Sequence, residues 1–85
     1  MQDLREFKMR VHVEIHGNML KPRGVAEDTI LLDDEATVEK LLREMGYLPE
    51  HIKFIIVARN GGMIRHSEKL CDGDSVQLSI PIGGG

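Results

Sequence analysis

The sequence predicts an α+β domain in which one main helix packs across a single mixed β-sheet. Three observations lead there. Residues 7–16 alternate apolar with polar side chains, residues 38–45 carry one apolar stripe at helical spacing, and residues 76–82 alternate again before running into three glycines. A lone amphipathic helix buries its stripe only by lying on one face of a sheet, so two layers follow.

In the first segment Phe7, Met9, Val11, Val13 and Ile15 fall on one parity, and Lys8, Arg10, His12, Glu14 and His16 on the other. Period two with one apolar face marks a half-buried strand. Gly17-Asn18 opens a polar break that continues through Lys21-Pro22-Arg23-Gly24, and a second strand is expected from Val25 or Ala26 to Leu32. The two should pair as an antiparallel hairpin.

The helix follows. Thr37 is placed to cap it, with Asp34 and Glu35 near the positive end of its dipole. Val38, Leu41, Leu42 and Met45 stand at i, i+3, i+4 and i+7, and Gly46 supplies the left-handed terminator. Tyr47-Leu48-Pro49-Glu50-His51 reads as a connector in which proline blocks a smooth continuation.

Phe54-Ile55-Ile56-Val57-Ala58 is short, apolar and rich in β-branched residues, so an interior strand is expected. Asn60-Gly61 suits a type I′ turn, and a weak edge segment around Met63-Ile64 follows it. After the turn at Asp72-Gly73-Asp74, Val76, Leu78, Ile80 and Ile82 alternate with Ser75, Gln77, Ser79 and Pro81 as the last strand. That strand delivers the chain into Gly83-Gly84-Gly85. A thread without Cβ atoms passes through a narrow channel and brings its backbone close to a reacting group.

An 85-residue chain has room for one modest core, so a single domain over residues 1–82 with a flexible glycine tail at 83–85 is expected. With 41% hydrophobic and 29% charged residues the composition is that of a globular domain, and no apolar run approaches the roughly 18 residues a spanning helix needs. The N-terminal residues lack the apolar stretch of a signal peptide, and Cys71 stands alone, so a cytoplasmic protein without disulfides is expected. A net charge of −3 with one Tyr, two Phe and no Trp argues against nucleic acid, and nothing suggests a membrane.

The element order, with Ala36-Thr37-Val38-x-x-Leu41-Leu42-x-x-x-Gly46, Asn60-Gly61, Leu70-x-Asp72-Gly73-Asp74 and the closing Gly84-Gly85, resembles the ubiquitin-like β-grasp sulfur carriers of the ThiS and MoaD families. The resemblance covers nearly all of the chain from Lys8 onward. It implies that the carboxylate of Gly85 is adenylated with ATP and Mg²⁺ on a partner activating enzyme and then converted to a thiocarboxylate. Gly83 and Gly84 would thread the partner's active site. The sulfur would pass to an acceptor enzyme like the molybdopterin synthase large subunit or like thiazole synthase, or in some relatives to tRNA.

The single Pro81 followed by Ile82 is closer to ThiS-like ends, whereas the spacing from Asn60-Gly61 to Asp72-Gly73-Asp74 is more MoaD-like. The receiving pathway therefore stays open. Two other readings of the same residues are a ubiquitin-like protein modifier joined through Gly85 and an interaction module with an idle tail. No intrinsic cofactor is expected, because the chain offers neither a phosphate-cradling loop nor a metal cage. An enzyme in its own right is the least expected, for want of a convergent nucleophile and base.

Because the resemblance places the first and last strands side by side, Lys8, Arg10 and Arg59 are expected to form a mildly basic surface beside the tail. With Pro81 and Ile82 it would dock on the activating enzyme. His12 and His16 share a strand face but stand about 13 Å apart at the backbone, too far to ligate one ion together. All four histidines, His12, His16, His51 and His66, are therefore taken as exposed, with no metal site. Cys71 is expected to be a passive turn residue, and Asp72 and Asp74 to hold that turn through bonds to backbone.

Overall fold

The computed structural model describes residues 8–81. The elements follow in the order β1 (Met9–Ile15), β2 (Glu27–Leu32), α1 (Val38–Met45), a helical turn α2 (Pro49–Ile52), β3 (Ile56–Arg59), β4 (Gly62–Ile64) and β5 (Ser75–Ser79). The strands form one mixed sheet in the order β2-β1-β5-β3-β4. Among the described residues only the β1–β5 pair is parallel. This is the expected two-layer α+β architecture, with α1 on one face.

Alternation fixes which face is covered. Met9, Val11, Val13 and Ile15 of β1 and Val76 and Leu78 of β5 are buried, while His12, Glu14, Gln77 and Ser79 look out from the other side. Val38, Leu41, Leu42 and Met45 of α1 close over the buried face, together with Met19, Tyr47, Ile52, Ile55, Val57 and Leu70 in one continuous core. Leu41 and Leu42 are wholly buried. Truncating either to alanine costs about 2–5 kcal/mol by the usual sum of lost transfer energy and residual cavity.

The N-terminus of α1 is finished from two directions. Thr37 Oγ1 accepts from the Lys40 amide at 3.2 Å. The amides of Val38 and Glu39, which have no partner within the helix, donate to the carbonyls of Glu68 and His66, each at 2.9 Å. At the other end Gly46 takes φ 108, as the terminator role requires.

The β3–β4 hairpin closes on a two-residue loop, Asn60-Gly61, with φ 55 and 82. Both angles are positive, as a type I′ turn demands.

Three elements differ from expectation. Pro49 does not merely interrupt the chain: it occupies the first turn of α2, where its missing N–H costs nothing. The third strand begins at Ile56 and leaves Phe54 outside it, 60% exposed, because α2 turns the chain before the ladder starts. The second strand begins at Glu27 instead of Val25 or Ala26, so the β1–β2 hairpin loop covers residues 16–26 and is anchored by buried Met19.

Candidate functional site

β5 lies at the centre of the sheet, between β1 and β3, and the chain leaves it through exposed Ile80 and Pro81. Ile82, Gly83, Gly84 and Gly85 lie outside the described residues. Strand direction decides what surrounds the exit. β1 runs parallel to β5 with Ile15 opposite Leu78, and the His16 amide donates to the Leu78 carbonyl at 2.9 Å. The end of β1 is therefore beside the end of β5. β3 runs antiparallel to β5, so its first residue, Ile56, pairs with Ser79.

Two hollows flank the exit. One is lined by His16, Gly17, Asn18, Ser79 and Ile80. The other, about 150 Å³ and largely apolar, is formed by Met19, Leu20, Tyr47, His51, Phe54, Ile55 and Ile80. Tyr47 fixes its floor: the ring is buried and its hydroxyl donates to the Leu20 carbonyl at 2.6 Å. Burial pushes the Tyr47 phenol above its ordinary pKa. Phe54 and Leu20 remain 60% and 55% exposed, so apolar surface concentrates where the chain departs.

The basic surface expected beside the tail stands elsewhere. The Arg10 carbonyl accepts from the Gly73 amide at 2.8 Å, and Arg59 pairs with Val76. Both residues therefore sit toward the start of β5, Arg10 about 20 Å and Arg59 about 10 Å along the strand from its end at Ser79. Lys8 lies beyond Arg10 again, with its Nζ 3.6 Å from Asp33 Oδ1. Adjacency of the first and last strands is as expected, but a parallel pairing sets the beginning of β1 at the wrong end.

Nor is Arg59 a loose surface cation. Its guanidinium meets Asp74 Oδ2 at 3.1 Å, the Lys69 carbonyl at 3.2 Å and Glu68 Oε2 at 3.5 Å. The turn that holds it is built as expected. Asp74 Oδ2 accepts from the Cys71 amide and Asp72 Oδ1 from the Arg10 amide, each at 2.8 Å, while Cys71 is exposed.

Two histidines are structural rather than free. His66 Nε2 is 2.7 Å from the Ile55 carbonyl, and His51 Nδ1 accepts from the Leu48 amide at 3.3 Å, closing the first turn of α2. The acidic middle of the chain is laced with cations: Glu39–Arg43 at 3.0 Å, Glu44–Lys40 at 3.4 Å, Asp28–Arg23 at 2.8 Å and Glu35–Lys69 at 2.6 Å. A run of acids so matched is a solvated face. An open concavity of about 730 Å³ lies between α1 and β4 and is lined by Glu39, Lys53, Met63, Arg65 and His66 among others; its one imidazole is the one tied to Ile55.

A five-stranded mixed sheet with a parallel central pair and one main helix packed across a single face defines the ubiquitin-like β-grasp class. The model of the ThiS family matches residues 10–85, and the chain belongs to that family of small carrier proteins. Among solved structures it is similar to a chain provisionally assigned as molybdopterin converting factor subunit 1 from Pyrococcus furiosus, with 27% identity and a TM-score of 0.70 over 87% of this chain and 99% of that one. It is also similar to a complex of subunits 1 and 2 of the molybdopterin-converting factor from Helicobacter pylori, with 26% identity and a TM-score of 0.59 over 91% of this chain and 100% of the other. Small archaeal modifier protein 1 of Haloferax volcanii shares the fold, at 21% identity and a TM-score of 0.65 over 87% and 99%. Comparison with curated proteins gave no match. Among the described residues no helix is long and apolar enough to cross a membrane.

Proposed function

We propose that the chain is a sulfur carrier whose working group is the carboxylate of Gly85. The observation that carries this reading is the family match continuing through residue 85, on a fold whose central strand ends at exposed Ile80 and Pro81 beside an apolar rim. A free carboxylate resists a sulfur nucleophile because its oxygen leaves badly. Attack of the carboxylate on the α-phosphate of ATP releases pyrophosphate and gives an acyl-adenylate, and the sulfur nucleophile then displaces AMP. The ATP and Mg²⁺ belong to a partner activating enzyme, which Gly83 and Gly84 enter as the narrow thread. Pro81 and Ile82 lead into that channel, and Leu20, Phe54 and Ile80 form the collar against which the enzyme closes.

For the sulfur acceptor we favour an enzyme like the large subunit of molybdopterin synthase over one like thiazole synthase. The Helicobacter pylori complex, in which a similar small subunit is assembled with subunit 2, supports that choice.

Intact mass measurement of the protein recovered from cells that contain its partners tests the proposal. Thiocarboxylation adds about 16 Da, the same increment as oxidation of one of the five methionines, so the gain must also be lost when Gly85 is deleted. A thiocarboxylate-specific reagent should label the protein only with Gly85 present. Isopeptide conjugates to lysines of other proteins, in place of that label, would move the assignment to a protein modifier.

A further inference from the structure

The sheet face opposite α1 holds a set of side chains that tail chemistry does not use. Period two places His12, Glu14 and His16 of one strand on that face. Glu27 of the edge strand β2 is paired directly with Glu14 in the antiparallel ladder. Like charges in that relation repel, and they do so here at the edge of the sheet, where a cation from solvent has access.

The donor atoms already converge. His12 Nε2 is 3.8 Å from Glu27 Oε1 and 4.0 Å from Glu14 Oε2, and one donor from each of the three residues fits within 4.8 Å of the others. Tetrahedral zinc with bonds of 2.0–2.2 Å spaces its ligands about 3.4 Å apart, so the three need to close by roughly 1 Å. Surface rotamers on an open sheet face allow that movement. His16 Nε2 lies 3.2 Å from Glu14 Oε1, a contact that turns the other oxygen of the carboxylate toward His12.

We propose that His12, Glu14 and Glu27 bind Zn²⁺, with His16 as a positioning residue on Glu14 and a fourth coordination position open to solvent. One imidazole and two carboxylates suit a borderline ion. Calcium wants six to eight oxygens, and a soft cuprous ion wants sulfur. The ion would neutralise the Glu14–Glu27 pair and tie β2 to β1. The proposal is independent of the reading of Gly85, since neither strand carries the tail.

The test is a competition titration of the metal-stripped full-length chain with Zn²⁺ against a chromophoric chelator, in a Cys71→Ser background because the exposed thiol is itself a zinc ligand. The expected result is one equivalent bound, weakened at least about tenfold by His12→Asn or Glu27→Gln and less by His16→Asn, which acts only through Glu14. Glu50→Gln, an exposed acid on α2, should leave it unchanged. Because altered strands could perturb the fold, amide spectra of the unmutated protein give a second reading: Zn²⁺ should shift residues 12–16 and 27–29 and leave the rest in place. No binding, binding that survives both His12→Asn and Glu27→Gln, or shifts centred elsewhere would overturn the site.

Discussion

Arg59 Nη1 and Asp74 Oδ2 lie 3.1 Å apart with about a fifth of each side chain exposed, and the same carboxylate oxygen holds the Cys71 amide at 2.8 Å. One acid therefore fastens the β3 guanidinium to the turn that launches β5. Replacing it leaves a partly buried cation and an unpaired amide together. Asp74→Ala should lower unfolding stability by about 1–3 kcal/mol in urea denaturation, and Arg59→Ala by a comparable amount. Combining the two should cost clearly less than the sum, because each removes the same contact.

Gly46 is bound to its residue type by two separate constraints. Its φ of 108 disfavours any side chain, and an added Cβ would stand 3.1 Å from Pro22 Cβ, in the loop between β1 and β2. Gly46→Ala should cost about 1–2 kcal/mol even though alanine is the better helix former. Pairing it with Pro22→Gly should recover the part due to the clash and leave the part due to φ, which a denaturation cycle separates.

Tyr47 links stability to alkaline pH. Burial raises its pKa, so the folded state holds the phenolic proton more tightly than the unfolded chain. Its contribution is complete below the unfolded value of about 10 and is lost as pH rises through the higher folded value. Tyr47→Phe should flatten the loss of stability above about pH 10, and at neutral pH should cost about 1 kcal/mol for the bond to the Leu20 carbonyl.

Acid acts through exposed pairs. The hydrogen bond from Lys69 holds the Glu35 carboxyl below the usual range, and that from Arg23 does the same for Asp28. A lowered folded value means stability present above the unfolded pKa and shed as pH falls through the folded one, so the decline begins near pH 4. The combined Glu35→Gln and Asp28→Asn variant should show a shallower fall in melting temperature on acidification. High salt should produce the same flattening in the parent protein.

Most of the fold is legible along the chain because it is local. The stripe at Val38, Leu41, Leu42 and Met45, the cap at Thr37, the stop at Gly46 and the turn at Asn60-Gly61 are each determined by residues a few positions apart. What could not be read is what crosses the sheet. Nothing within β1 tells that Arg10 aligns with the Asp72-Gly73-Asp74 turn instead of the tail, nor that Glu27 arrives opposite Glu14 and brings acids to His12. Spacing between His12 and His16 measures one strand, whereas the donor set spans two. Phe54 misled for a related reason: an apolar run gives no sign of where α2 hands over to the ladder.

The register makes a sharp distinction for docking. If an activating enzyme receives the Gly83-Gly84-Gly85 thread, it must close around the end of β5, where Phe54, Leu20 and Ile80 are exposed, and not around the start, where Arg10 and Arg59 sit. Phe54 is already in water and makes few native contacts to lose, so Phe54→Glu should leave the fold intact. It should nevertheless raise the KM for the carrier in an ATP–pyrophosphate exchange assay by about tenfold or more, as placing a charge in an apolar contact costs upwards of about 1.4 kcal/mol. Arg10→Glu, about 20 Å away along β5, should change that KM less than about twofold at moderate salt, where the Debye length is about 10 Å. The opposite ranking, with Arg10→Glu crippling exchange and Phe54→Glu harmless, would mean that the partner grips the far end of the sheet and that the apolar collar belongs to some other contact.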